Sequence, residues 1–115
     1  MHAIDHAKAL YAAHGMSLAR DIGLYLDHGG VLLCTPERLL LGRPVRLAAP
    51  EEWPVPGAAD AWYVRLAVGT RHGLRWFLEQ MPYYLPACCW HRNFRTPGGP
   101  LHVAATDKLI RKLRK

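Results

Sequence analysis

A chain of 115 residues can build one hydrophobic core but not two ordinary domains, so a single domain over 1–115 is expected. Half of the residues are hydrophobic and 21% are charged, which excludes a disordered composition; no apolar run approaches the ~20 residues of a membrane span. The net charge of +6 is lopsided: Lys108, Arg111, Lys112, Arg114 and Lys115 crowd the last eight residues, and the ten other basic residues face nine acids.

Residues 1–28 read as a helical pair, and 29–113 as an α+β core. Asp5 to His14 is alanine-rich and stops at Gly15, a residue suited to a left-handed C-terminal cap. Ser17 is placed to cap the second helix. Its apolar stripe is Leu18, Ile22, Tyr25 and Leu26, and Gly29-Gly30 ends it. His2, His6 and His14 are expected to face solvent, with His28 at a helix end, where an imidazolium is favoured.

Val31 to Val45 predicts two strands about a Thr35-Pro36-Glu37-Arg38 turn. Proline cannot take the positive φ of a tight I′ turn, so a wider or bulged turn is expected. Within these strands Leu32, Leu33, Leu39, Leu40 and Leu41 give near-continuous rather than alternating hydrophobicity, as where parts of a strand are covered on both faces. The proline-rich segment 48–60 is a loop, and Trp53 should pin it back to the body. Ala61 to Gly69 is the clearest strand. Leu74, Phe77, Leu78 and Met81 then give a helix that Pro82 ends.

Ala87 to Arg92 is a further strand, Leu101 to Ala105 a short one, and a last helix follows, capped by Thr106 or Asp107, with Leu109, Ile110 and Leu113 inward. The order α-α-β-β-β-α-β-(β)-α implies an α+β fold: a mostly antiparallel sheet with helices packed on it.

Cys88 and Cys89 are adjacent on a strand and so point to opposite faces. They cannot readily share one metal, and Cys34, His72 or His102 complete no recognised zinc spacing. The expectation is buried, inert thiols, with no metal and no cofactor. Val68 to Phe77 runs a strand into a helix, with Gly69, Arg71 and Gly73 where a phosphate could meet backbone N–H groups. The plainer reading is a glycine turn with solvent-facing arginines.

The order of elements and the position of that turn are similar to the core of the GNAT acetyltransferase fold. In that fold three antiparallel strands lead into a helix whose N-terminus holds the pyrophosphate of coenzyme A. The GNAT signature is R/Q-x-x-G-x-G/A; this chain has Gly69-Thr70-Arg71-His72-Gly73, which departs from it. More narrowly, "GRPV", "AWYVRLAVG", "MPYYLPACCWHR" and "DKLIRKL" together resemble small GNAT-like proteins of tailed phages and prophages. The resemblance implies a non-catalytic protein working through protein–protein contacts, in some cases associated with the virion or its ejection apparatus.

Two alternatives stand beside it. One is an acetyl-CoA-dependent N-acyltransferase using Gly69, Arg71 and Gly73. The other is an accessory protein that contacts nucleic acid weakly and non-specifically through Lys108, Arg111, Lys112, Arg114 and Lys115. The N-terminal residues lack an apolar signal core, so a cytoplasmic location in the producing cell is expected, with the virion as the other setting.

Overall fold

The computed structural model describes residues 2–54, 57–69, 78–91 and 100–113. Helices α1 (Ala3–Ala13) and α2 (Leu18–Asp27) precede strands β1 (Val31–Cys34), β2 (Leu39–Val45), β3 (Ala61–Val68), β4 (Ala87–His91) and β5 (Leu101–Ala105). Helix α3 (Thr106–Leu113) follows. The fold is α+β, as expected: one five-stranded sheet in the order β1-β2-β3-β4-β5. Neighbouring strands are antiparallel except β3 and β4, which run parallel. Of the helix expected over 74–81, residues 78–80 are helical and the start lies outside the described residues. No helix among the described residues is long and apolar enough to cross a membrane.

Local chemistry explains most boundaries. Ser17 caps α2, its Oγ accepting from the Arg20 backbone N–H at 3.2 Å. Helix α1 starts at Ala3 rather than Asp5 because the Ala3 N–H finds a tertiary partner, the Pro36 carbonyl, at 2.8 Å. The β1–β2 turn is the wide kind: the Thr35 N–H donates to the Arg38 carbonyl, and the Arg38 N–H to the Thr35 hydroxyl. No non-glycine residue among those described has positive φ, so no I′ turn forms there.

Strand β2 is buried along its whole length, including the Leu39 to Leu41 stretch expected to be covered on both faces. Pro44 is tolerated in it because β1 pairs only as far as Gly42, which leaves Pro44 with a β3 partner on one side alone.

The sheet separates two apolar layers. On one face α1 and α2 supply Ala3, Ala7, Tyr11, Leu18 and Tyr25 against Leu39, Leu41 and Leu66. Val45, Ala61, Tyr63 and Cys89 form a separate cluster. The opposite face gathers Leu40, Trp62, Leu78, Leu85 and Cys88, with Leu109 and Ile110 of α3 packed on them. Two expectations fail. Leu26 is exposed rather than part of the α2 stripe, because the helix turns only Leu18, Ile22 and Tyr25 toward the sheet. His14 is half-buried rather than solvent-facing, sitting where the chain turns between α1 and α2.

Thr106 does not spend its hydroxyl on capping α3. It is buried, and its Oγ1 donates to the Leu85 carbonyl at 2.7 Å while its N–H bonds the Pro86 carbonyl. These bonds fasten α3 to the segment that enters β4.

Candidate functional site

The register between β2 and β3 shifts between Leu41 and Gly42: Leu41 pairs with Leu66, but Gly42 pairs with Val64. Arg65 is therefore the extra residue of a β-bulge. Trp62 and Val64 belong to the α3 side of the sheet, while Leu66 packs with α1 and α2. The bulge lets Arg65 join Leu66 on the helical side, where its Nε donates to Asp21 Oδ2 of α2 at 3.0 Å. The Tyr11 hydroxyl donates to the same oxygen at 2.8 Å.

Beside this pair opens a cleft of about 310 Å³ lined by Asp21, Tyr25, Arg43, Glu51, Tyr63, Arg65 and His91, with Pro50. Arg43 is only 6% exposed. Its Nη1 donates to the Glu52 carbonyl at 2.9 Å and its Nη2 to the Pro50 carbonyl at 2.7 Å. The guanidinium lies 4.1 Å from the Trp53 ring centre and 5.8 Å from those of Tyr25 and Tyr63. Arg43 is thus the pin that holds loop 46–54 against the sheet, and Trp53 covers it.

Across the cleft, the Tyr63 hydroxyl and His91 Nδ1 share a hydrogen bond of 2.6 Å. Loss of hydration, then the charges of Arg65 and His102, hold His91 below the usual imidazole range. Burial pushes the Tyr25 phenol up to about 12, and raises Tyr63 and Tyr11 as well, so all three stay protonated donors near neutrality.

A second, wider hollow of about 730 Å³ lies past Trp53. His28, Pro44, Trp53, Pro54, Tyr83 and Leu85 line it, with Asp27 also at its wall. Trp53 is in tilted contact with His28 at 4.5 Å and edge-on to Tyr25 at 5.7 Å. On the far wall Tyr83 is fixed by Trp62, whose Nε1 donates to the Tyr83 carbonyl at 3.2 Å and whose ring lies 5.0 Å from the phenol ring. Trp53 and Tyr83 nevertheless stay exposed.

The residues singled out from the sequence fall elsewhere. Cys88 and Cys89 are fully buried on opposite faces, as alternation along β4 requires. Burial pushes both thiols up, Cys89 to about 12, which leaves almost no thiolate at neutral pH. Among the described residues no group of three His, Cys, Asp or Glu is placed to hold a metal.

Gly69 has φ 131°, and a Cβ there would meet the Glu37 carbonyl at 3.0 Å and Arg38 Cγ at 3.1 Å. Close passage over the β1–β2 turn thus accounts for this glycine without any ligand. Arg71 and Gly73 lie outside the described residues, as do Arg114 and Lys115. Lys108 and Arg111 are exposed on α3, which also carries Lys112.

The cleft itself was missed from sequence. Its one signal was Arg43, a charged residue inside an otherwise apolar strand, since arginine is rarely buried unless something engages it.

No family model, curated protein or solved structure matches this chain.

Proposed function

We propose that the chain is a non-catalytic binding domain that acts through protein contacts at the hollow between Trp53 and Tyr83. The observation that carries this reading is the pair of exposed, anchored aromatic walls. Trp53 is held by Arg43 and His28, and Tyr83 by Trp62, yet both leave ring area open to solvent. Aromatic side chains held in place offer contact area at little further entropic cost, which is why they are enriched at interfaces. Pro44, Pro54 and Leu85 make the floor apolar, and Asp27 supplies an acid.

The occupant that suits this lining is an extended segment of a partner protein, with an apolar anchor in the hollow and a cation toward Asp27. The inert state of the buried thiols favours binding over nucleophilic chemistry at β4. The phage or prophage setting, with the virion or ejection apparatus as the place of action, rests on the sequence resemblance.

Selection from a displayed random-peptide library tests the reading. Enriched peptides should combine an aromatic or aliphatic anchor with a nearby Lys or Arg, and lose affinity at least about tenfold on Tyr83→Ala, the cost of ~1.4 kcal/mol. Peptides indifferent to both Tyr83→Ala and Trp53→Ala would overturn it.

A further inference from the structure

The cleft lining carries two guanidiniums, Arg43 and Arg65, and two carboxylates, Asp21 and Glu51, of which Arg65 and Asp21 pair directly. Asp21 is committed to Arg65 and Tyr11 through one oxygen. Arg43 is buried, yet the partners that hold its terminal nitrogens are the neutral carbonyls of Pro50 and Glu52. Arg65 pairs with Asp21, and among the described residues no carboxylate is within ion-pair distance of Arg43. A buried cation held by neutral carbonyls and not directly paired with a carboxylate is costly, and an anion that reaches it relieves that cost. Aromatic faces at 4.1 and 5.8 Å offset only part of it.

The lining also restricts which anion fits. Tyr25 and Tyr63 supply phenols that burial keeps protonated, and His91 adds an imidazole at the edge. The same rings give apolar walls. Against these, Asp21 and Glu51 also line the cleft and repel a second negative charge. A planar, singly charged carboxylate matches a guanidinium with spare donors, whereas a phosphate dianion meets both acids. The volume of about 310 Å³ is at the small end of ligand sites.

We infer that the cleft between α2, loop 46–54 and strands β2, β3 and β4 is a binding site for a small organic monocarboxylate, its carboxyl directed to Arg43 and its apolar body between Tyr25 and Tyr63. This site is separate from the Trp53–Tyr83 hollow and stands whether or not a protein segment binds there.

Benzoate is the probe, with inorganic phosphate as the contrast, and binding is followed by 1H–15N NMR shifts of the intact chain. Benzoate should bind with shifts centred on Arg43, Tyr63 and His91, at least about tenfold more tightly than phosphate. Glu51→Gln removes a repelling charge from an exposed position and should tighten benzoate about threefold. Tyr63→Phe keeps the ring but loses the hydroxyl, and should weaken benzoate without unfolding the chain. Arg43→Gln should abolish binding, and the Glu51 variant carries the test if that chain does not fold. Equal affinity for phosphate, shifts centred on Tyr83 instead, no saturation by either anion, or a Glu51→Gln variant with unchanged affinity would each overturn the inference.

Discussion

Replacing Arg43 by methionine keeps an unbranched side chain of similar reach and deletes the charge that pins loop 46–54. Two hydrogen bonds from a charged donor to the Pro50 and Glu52 carbonyls are lost, each worth about 1.5–3 kcal/mol. The stacking on Trp53 is lost too, about 0.5–1 kcal/mol. Two effects oppose these losses. Methionine does not bear the desolvation cost of a buried guanidinium, several kcal/mol in itself. The freed carbonyls can also turn to water, because Glu52 is exposed and Pro50 only half-buried. The net destabilisation expected is about 2–3 kcal/mol.

For a chain of this length that corresponds to a fall in Tm of about 8–12 °C. Urea unfolding followed by tryptophan fluorescence measures it, with the slope unchanged if only stability moves. Arg43→Lys should fall between the two, since an ammonium cannot fork to both carbonyls. A methionine variant within about 0.5 kcal/mol of the native chain would refute the argument that Arg43 holds the loop.

The remaining predictions concern thiols, protons and salt. In the folded protein a thiol reagent should modify Cys34 at once, while Cys88 and Cys89 react only on unfolding; fast reaction of all three would contradict their burial. His91 has a folded pKa below its unfolded one, so the unfolded chain gains this proton first as pH falls through ~6.5, and acidification costs stability until the folded pKa is passed. The native chain should therefore lose more stability than His91→Gln between about pH 7 and 5, and equal slopes would refute the assignment. If the C-terminal cations touch DNA at all, five of them limit the slope of log K against log salt to about −4.5, with no preference among sequences. Tight binding that persists at ~0.15 M salt would instead make nucleic acid the principal partner.

What could be read from the sequence was what local chemistry decides. Ser17 announced a cap, Pro36 a wide turn, and the alternation along Ala87–His91 sent Cys88 and Cys89 to opposite faces. The leucines that open β2 signalled cover on both faces, and that strand is buried throughout, whereas β1 is only half-buried. The cleft escaped because its parts come from α2, β2, loop 46–54, β3 and β4, which only the strand order brings together. Nothing in "YVRLAV" marks the bulge at Arg65: no glycine or proline interrupts the strand, and only the β2 register exposes the extra residue. Leu26 misled for a related reason, since helical periodicity gives a stripe but not the edge at which the sheet stops covering it.

The central claim is that this domain binds a partner rather than transferring acyl groups, and titration calorimetry with acetyl-CoA tests it most directly. The account predicts no binding tighter than ~1 mM, equivalent to roughly −4 kcal/mol. A micromolar site that disappears on Gly73→Glu would contradict it and establish the acyltransferase reading.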